Sequence, residues 1–296
     1  MYKCDQLSLQ EENLSLEEDS TKVESLLRET FTFEKIVDQS PTSVTVRVTG
    51  DFPDRIKDQT MALKITNDMD SGIKELRTLC EIKNSILDPK LSPCFLRCDN
   101  WVTCVRLPEI DQLGPSSLSS FSADDAHLYM LINTSDYTLA NIPYQPTQYQ
   151  VKCLIFELLY AILIGRKHVR GINIREDNIF LTETQIDRLY TVGGKQFRIS
   201  SEYLPIFTEF TIPSDVPDNA EISALLQTFA YFMNSKVDLS ELLVSQFENL
   251  TEILSIEGQS VSHALQNSTL FDDLNLNSTV SQSLQRDLLV NINVSA

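Results

Sequence analysis

The residues that could take part in chemistry lie in three separate stretches of the sequence. Lys64 is the only charged residue of the apolar segment Met61–Ile65, and Glu209 lies within a later apolar segment. Asn173 and Asn178 are five residues apart in a polar stretch that follows a long apolar-faced segment. A carboxylate offers oxygen ligands to a metal ion, whereas an amide cannot accept a proton at neutral pH. Asn173 therefore cannot act as a general base.

The stretch Val169–Leu181 resembles the catalytic loop of protein kinases, which reads His-Arg-Asp-Leu-x-x-x-x-Asn. In that family the aspartate receives the proton of the substrate hydroxyl, and the asparagine holds a magnesium ion. Asn178 matches this asparagine. The histidine, arginine and aspartate positions hold Gly171, Ile172 and Asn173. Gly171 and Ile172 offer no side-chain donor, so we expect apolar packing to hold this loop, with Ile172 buried beneath the helix that precedes it. The resemblance implies a kinase fold in which an amide replaces the general base.

A second match lies in the segment Met61–Ile65, which resembles the third kinase strand, Val-Ala-x-Lys. Strand alternation places Ala62 and Lys64 on the same face. The resemblance implies that this face meets the nucleotide, with Lys64 against its phosphates. The alternative is that Lys64 is an ordinary surface lysine.

A helix is predicted after this strand, with Asp70 or Ser71 as its N-terminal cap. It offers Glu75 and Glu81 as partners for Lys64. The separation that is usual in the kinase family favours Glu81, which the resemblance then places in the cofactor site. Both glutamates could instead be solvated residues on the helix face.

The loop that connects the first two predicted strands lacks glycine. Period-two alternation predicts strands over Phe31–Val37 and Val44–Val48, joined by Asp38–Ser43. In kinases the corresponding joint is the glycine-rich loop over the ATP phosphates. The glycine positions here hold Val37, Gln39 and Thr42. Since glycine is what lets a backbone approach a ligand closely, we expect no phosphate cradle here.

The middle of the chain offers a strand, a helix and a hairpin. Leu128–Ile132 is a buried strand candidate, and the resemblance places a hinge at Asn133–Asp136, whose backbone would face the nucleotide base. Apolar residues at helical spacing predict a long helix over Thr147–Lys167, which leads into the loop. Further on, Gly193 and Gly194 separate two strand signals, a pattern typical of a hairpin.

A later apolar strand signal ends in a Glu-Phe-Thr motif at residues 209–211. It resembles the Asp-Phe-Gly motif of kinases in the form that haspin-like kinases carry, with threonine for glycine. The resemblance makes Glu209 and Asn178 metal ligands and Phe180 a cofactor contact. A glutamate is one methylene longer than aspartate and is still an oxygen donor, so magnesium binding is altered but not excluded. The next predicted helix opens at Glu221, which leaves no room for a long activation segment.

The amino-acid composition limits the classes of partner that we expect. The hydrophobic fraction of 42% is that of an ordinary globular protein, and the formal net charge is −18, from 42 acidic and 24 basic residues. Such a field repels nucleic-acid phosphates and anionic membranes, so we expect neither as a partner.

The N-terminal residues lack an apolar signal region, and the longest apolar run, Leu158–Ile164, is far too short to span a bilayer. These features predict an intracellular protein, in cytoplasm or nucleus, that is not secreted and not inserted into a membrane.

The six cysteines are spread along the chain, which favours reduced thiols. Cys94, Cys98 and Cys104 cluster in sequence. They form no Cys-x-x-Cys pair and have no nearby histidine, which favours buried thiols over a zinc site.

The kinase resemblance covers roughly residues 31–234 and is nearest to haspin-like kinases, including divergent ones of large DNA viruses. It implies an α+β, two-lobed protein-kinase-like fold. We predict an acidic N-terminal extension at 1–30, a small, mainly β N-lobe with one helix at 31–135, and a larger, mainly α C-lobe at 136–296.

The substitutions in the motifs bear on function. Loss of the general base lowers a transfer rate by about two to four powers of ten, and loss of the glycine loop adds to this. We therefore predict a pseudokinase of the Ser/Thr kinase family that acts through contact with a protein partner and is gated by nucleotide. Its implied cofactors are ATP and a weakly bound Mg²⁺ or Mn²⁺ ion. The alternative is an active atypical Ser/Thr kinase that transfers the ATP γ-phosphate to a protein substrate with Lys64, Asn178 and Glu209.

Overall fold

The computed structural model shows a mixed α/β chain with mainly antiparallel sheets and a few helices. It divides into two compact units. The first consists of Met1–Leu91 and Phe95–Asp136, and the second of Ser92–Cys94 and Tyr137–Ala296. The structure describes residues 2–3, 27, 29–50, 60–105, 107, 125–142, 145–168, 172, 174–210, 222, 225–226, 240–256 and 260–276.

The first unit contains a six-stranded antiparallel sheet. Its strands are β1 (Tyr2–Lys3), β2 (Phe31–Gln39), β3 (Ser43–Gly50), β4 (Thr60–Thr66), β5 (Cys98–Cys104) and β6 (His127–Thr134). In space they lie in the order β1-β5-β6-β4-β3-β2. The predicted strands over 31–37, 44–48, 61–65 and 128–132 are confirmed. Asn133 and Thr134, expected to begin the hinge, instead end β6 because they continue its pairing with β4.

Alternation divides the two faces of this sheet as the sequence predicts. Val44, Val46 and Val48 of β3 are buried in a single apolar cluster with Leu63 of β4. The opposite face of β4 carries Ala62, which is fully buried, and Lys64, which is partly buried. The apolar residues therefore form a core on one face of the sheet, and Lys64 lies on the opposite face.

Helix α1 (Met69–Ile82) follows β4 and continues into a short π-helical segment, Lys83–Leu87. Its N-cap is Asp68, whose side chain accepts a hydrogen bond from Ser71 N. The predicted caps, Asp70 and Ser71, are therefore wrong by two or three residues, because Asp68, Asp70 and Ser71 all carry acceptor side chains and sequence does not rank them.

Cys80 of α1 is disulfide-bonded. The prediction that all six cysteines are reduced thiols is therefore wrong for this one, because spacing in sequence does not reveal which sulfur atoms meet in the fold. Cys94, Cys98, Cys104 and Cys153 are buried thiols.

The second unit combines a three-stranded sheet with helices. Its elements are β7 (Tyr137–Thr138), a 3₁₀ turn (Leu139–Asn141), α2 (Gln148–His168), a 3₁₀ turn (Glu176–Asn178), β8 (Ile179–Val192), β9 (Lys195–Phe207), α3 (Glu241–Ser255), α4 (Val261–Asn267) and a 3₁₀ turn (Thr269–Phe271). The sheet order is β7-β8-β9. The predicted long helix and hairpin are confirmed. The hairpin turns at Gly193 and Gly194, which both have positive φ. Its two strands, β8 and β9, are much longer than the segments that the sequence pattern predicted.

Helix α2 is the core helix of the second unit. Twelve of its residues are buried, among them the charged residue Glu157. Among the described helices, α2 is long and apolar enough to cross a membrane by composition, with 61% of its most apolar window buried. Such burial is typical of a helix in a packed core.

Several predictions fall on residues that the structure does not describe. These are most of the extension at 1–30, Gly171, Asn173 and the segment after the Glu-Phe motif. Of the helix predicted to open at Glu221, only Ile222, Leu225 and Leu226 are described, and all three are buried.

Candidate functional site

The turn between β2 and β3 is closed by its own side chain. Ser40 Oγ accepts hydrogen bonds from the backbone N–H groups of Thr42, at 3.3 Å, and Ser43, at 3.0 Å. Ser40 N donates to Ser43 O at 2.8 Å, and Pro41 has no N–H group. Every backbone donor of residues 40–43 is thus either absent or already bonded within the turn. This turn stands where the kinase resemblance implies a phosphate-binding loop.

Lys64 of β4 forms an ion pair with Glu75 of α1. The distance from Lys64 Nζ to Glu75 Oε1 is 2.6 Å, and the side chains are 23% and 29% exposed. Glu81, the partner favoured by sequence, is exposed on α1. Six residues on a helix correspond to a rotation of about 120° between side chains, so Glu75 and Glu81 cannot face the same lysine. The pairing of Lys64 with Glu81 is therefore corrected to Glu75.

Gly72 lets α1 lie close to β4. A Cβ atom at this position would come within 2.5 Å of Thr66 Cγ2 and 3.1 Å of Leu128 Cδ2. Gly72 lies three residues before Glu75, on the same side of the helix. The missing side chain thus helps to bring the Glu75 carboxylate within reach of Lys64.

A second charged network lies on the Lys64 face of the sheet. Strand register places Lys35 opposite Arg47, and Arg47 opposite Ala62. Arg47 Nη2 lies 2.6 Å from Asp136 Oδ2, and Lys35 Nζ lies 3.0 Å from Asp136 Oδ1. The hydrogen bond from Arg47 is the main cause that holds the pKa of Asp136 below its ordinary value. Nothing in the sequence indicated this network.

In the second unit, the β8–β9 pairing brings Asn178 and Glu209 together. Ile179 pairs with Phe207, so the residues just outside the two strands are neighbours. The backbone N and the Oγ1 of Thr208 both donate to Asn178 O, at 3.1 and 2.8 Å. Asn178 Nδ2 donates to Glu209 Oε2 at 2.9 Å. The two residues named as metal ligands are therefore a hydrogen-bonded pair.

This pair is a sparse donor set for a metal ion. It holds one carboxylate and one amide, and the neighbouring Asp177 is paired with Arg175 at 3.0 Å. Within the described residues, no group of three or more His, Cys, Asp or Glu side chains is arranged to hold a metal. Asn178 presents its N–H to Glu209, so its amide must rotate before both residues can offer oxygen to one ion. Mg²⁺ is commonly bound through one or two carboxylates, with waters and substrate phosphates completing its shell, and the pair fits only this mode.

The remaining predicted positions fall in different surroundings. Phe180 is half-buried in β8, where it pairs with Ile206 of β9 and Thr138 of β7. Ile172 is 2% exposed, which confirms its predicted burial. Asn173, at the position of the missing base, lies outside the described residues.

A buried polar cluster centred on Glu157 was not predicted. Tyr190 Oη donates to both Glu157 carboxylate oxygens, at 2.7 and 2.8 Å, and Cys94 Sγ lies 3.3 Å from Oε2. Burial raises the pKa of the Glu157 carboxyl above its ordinary value, although both hydrogen bonds oppose this shift. Burial, together with the nearby Glu157, raises the pKa values of Tyr190 and Cys94 as well. In the sequence, the one indication of this cluster was Glu157 itself, the single acidic residue of the apolar helix α2.

Known proteins give little information about the family of this chain. No protein-family model matches the chain, and a search of curated proteins found no match. Among solved structures, the autoinhibited serine kinase domain of the giant muscle protein titin is similar, with a TM-score of 0.44 and 13% identity. The match covers 81% of this chain and 79% of that one. A likeness at this level assigns no family.

Proposed function

We propose that the protein is an intracellular pseudokinase, a divergent relative of Ser/Thr protein kinases, that acts through contact with a protein partner. A nucleotide such as ATP binds against Lys64 and gates this contact. Transfer of the γ-phosphate is negligible. The proposal draws on the sequence resemblance and on the geometry of the two units, each taken by itself.

The observation that carries the proposal is the closed turn at residues 40–43. Phosphoryl transfer depends on positioning and electrostatic stabilisation of the phosphates, which kinases achieve partly with backbone N–H groups of a glycine-rich loop. Here Ser40 Oγ takes the N–H groups of Thr42 and Ser43, and Pro41 contributes none. A phosphate would have to displace these hydrogen bonds before it met any donor from the turn.

The second unit supports the same conclusion. The Asn178 amide and the Glu209 carboxylate satisfy each other, so a metal ion must compete with their hydrogen bond. Asn173 cannot accept the proton of a substrate hydroxyl. When bound, Mg²⁺ or Mn²⁺ would neutralise phosphate charge, and Glu209 and Asn178 are the residues that would hold it. Weak metal binding and the absent base both reduce transfer.

An active atypical kinase is the second candidate, and the Lys64–Glu75 ion pair favours it. A lysine held by a helix carboxylate is positioned to contact nucleotide phosphates, and the 2.6 Å pair provides this. Phosphoryl transfer needs little covalent chemistry from a protein, so an oriented lysine and a metal could sustain slow turnover.

Phosphate transfer from γ-labelled ATP to generic acidic and basic protein substrates separates the two candidates. Purified wild type and Lys64→Ala are assayed side by side, with Mg²⁺ and with Mn²⁺. We expect incorporation near background for both proteins. Robust turnover that Lys64→Ala abolishes would establish the active kinase. Robust turnover that survives this substitution would instead point to a contaminating kinase in the preparation.

A further inference from the structure

One carboxylate, that of Asp136, ties two strands of the first unit to the segment after β6. Its two oxygens meet different cations, Oδ2 with Arg47 Nη2 at 2.6 Å and Oδ1 with Lys35 Nζ at 3.0 Å. Arg47 belongs to β3 and Lys35 to β2, whereas Asp136 lies two residues beyond the end of β6. Arg47 is the more enclosed of the two cations, with its side chain 14% exposed.

The network lies in the same cross-strand row as Ala62. Register aligns Ile132 of β6, Ala62 of β4, Arg47 of β3 and Lys35 of β2 in one row, so these side chains share a face. Strand β4 lies between β3 and β6, so the ion pair between Arg47 of β3 and Asp136, which follows β6, bridges across β4. Ala62 is the β4 residue of this row, directly opposite Arg47, and is fully buried.

The two ends of this face therefore differ. At one end Lys64 presents an ammonium group that is held by Glu75. At the other, Ala62 has only a small side chain, and the Arg47–Asp136 ion pair bridges the strand that carries it. A ligand that extends from Lys64 towards Ala62 meets the bridge.

We infer that the Lys35–Arg47–Asp136 network is a latch that keeps a nucleotide base off the Ala62 surface, so that the resting protein admits a phosphate group at Lys64 more readily than an aromatic base. This inference rests on the proposed nucleotide site. The base binds only when Asp136 releases Arg47, so its affinity is reduced by the fraction of molecules in the latched state. Salt weakens exposed ion pairs and therefore opens the latch.

Adenosine is the probe that tests the latch, because it carries the base without charge. Its affinity, and that of ATP, is measured by calorimetric titration for wild type, Asp136→Asn, Arg47→Gln and Glu34→Gln, at low and high salt. Asp136→Asn and Arg47→Gln change the net charge in opposite directions, yet both break the bridge. Glu34 is the matched control, since its carboxylate lies 3.9 Å from Arg47 Nε and its 38% exposure is close to the 41% of Asp136.

We expect both bridge-breaking variants to bind adenosine about three- to tenfold more tightly than wild type, the range for one or two exposed ion pairs. Glu34→Gln should match wild type. Wild type should gain adenosine affinity at high salt, and Asp136→Asn should not. Equal adenosine affinities in all four proteins, with ATP still bound, would overturn the latch and leave the proposed function intact. If no protein binds adenosine or ATP under any condition, both the latch and the nucleotide site are wrong.

Discussion

The Lys64 ammonium lies 2.6 Å from the Glu75 carboxylate, which joins strand β4 to helix α1 inside the first unit. Both side chains are only partly exposed, so the pair also limits the cost of placing a lone cation on this face. A nucleotide phosphate would share Lys64 with Glu75. The pair therefore links the fold directly to the proposed nucleotide site.

Glu75→Gln should lower the free energy of unfolding by about 0.5–1 kcal/mol, because the pair is partly screened by solvent. Glu81→Gln, on the same helix, removes an exposed carboxylate that does not face Lys64 and should change it by less than about 0.5 kcal/mol. Urea unfolding of the two variants and wild type gives the comparison. Equal losses, or a larger loss for Glu81→Gln, would contradict the assignment of Glu75.

Ser40→Ala should free the N–H groups of Thr42 and Ser43 and cost about 1 kcal/mol of stability, as the loss of a side-chain cap does. The freed donors should then strengthen the binding of inorganic tripolyphosphate. Ser40→Thr keeps the hydroxyl and serves as the control. Stability is followed by urea unfolding and binding by calorimetry. Tripolyphosphate affinities that are the same in all three proteins would show that this turn is not near the bound phosphates.

Strand and helix positions were predictable because they depend on local periodicity. The β2–β3 pair, β4, the long helix α2 and the Gly193-Gly194 hairpin all follow from apolar alternation and turn residues. Burial of Ile172 was also predictable, since this apolar residue stands where the sequence resemblance would place a charged arginine.

The side-chain partners were not predictable in the same way. The choice of Glu75 over Glu81 depends on the rotation of α1, which Asp68 and Gly72 help to set. Asp136 is 89 residues from Arg47 and 101 from Lys35, and no local pattern connects them. The Tyr190–Glu157 contact likewise needs the fold, although a single acid within apolar α2 marks Glu157 as unusual.

Glu157→Gln should alter how stability depends on pH. The pKa of Glu157 is raised in the folded protein from an ordinary value of 4.5. The folded state therefore holds the proton more tightly than the unfolded chain, and wild-type stability is lost as the pH rises through the folded-state pKa. Glutamine has no such proton, so the variant should gain stability relative to wild type as the pH rises from about 4.5 upwards.

Urea unfolding of wild type and Glu157→Gln across this range gives the measurement. Glu183→Gln is the control, because Glu183 is exposed on β8. A stability difference between wild type and Glu157→Gln that does not change with pH would argue against a raised pKa at Glu157.

Ile172→Arg should lower the free energy of unfolding by about 3 kcal/mol or more, since an unpaired charge would enter a buried apolar position. Ile172→Val keeps the position apolar and should cost about 1 kcal/mol. Unfolding curves of both variants test this. A mild effect of arginine, close to that of valine, would mean that the loop is not held by apolar packing.

Asn173→Asp restores only the carboxylate of the missing base. It should leave phosphate transfer near background, because the turn at residues 40–43 still offers no phosphate donors and the Asn178–Glu209 pair still competes with metal. The measurement is γ-phosphate incorporation, with Lys64→Ala in the same background as control. Activity well above wild type that depends on Lys64 would show that the rest of the machinery is competent.

A melting-temperature titration with ATP, with and without Mg²⁺ or Mn²⁺, tests the central claim most directly. Lys64 is present and is held by Glu75, so ATP should raise the melting temperature of wild type more than that of Lys64→Ala. Asn178 and Glu209 offer few metal ligands, so added metal should change the shift little. Equal ATP-induced shifts in wild type and Lys64→Ala, or a strict requirement for Mg²⁺, would contradict a nucleotide site built on Lys64 in a protein that has lost phosphoryl transfer.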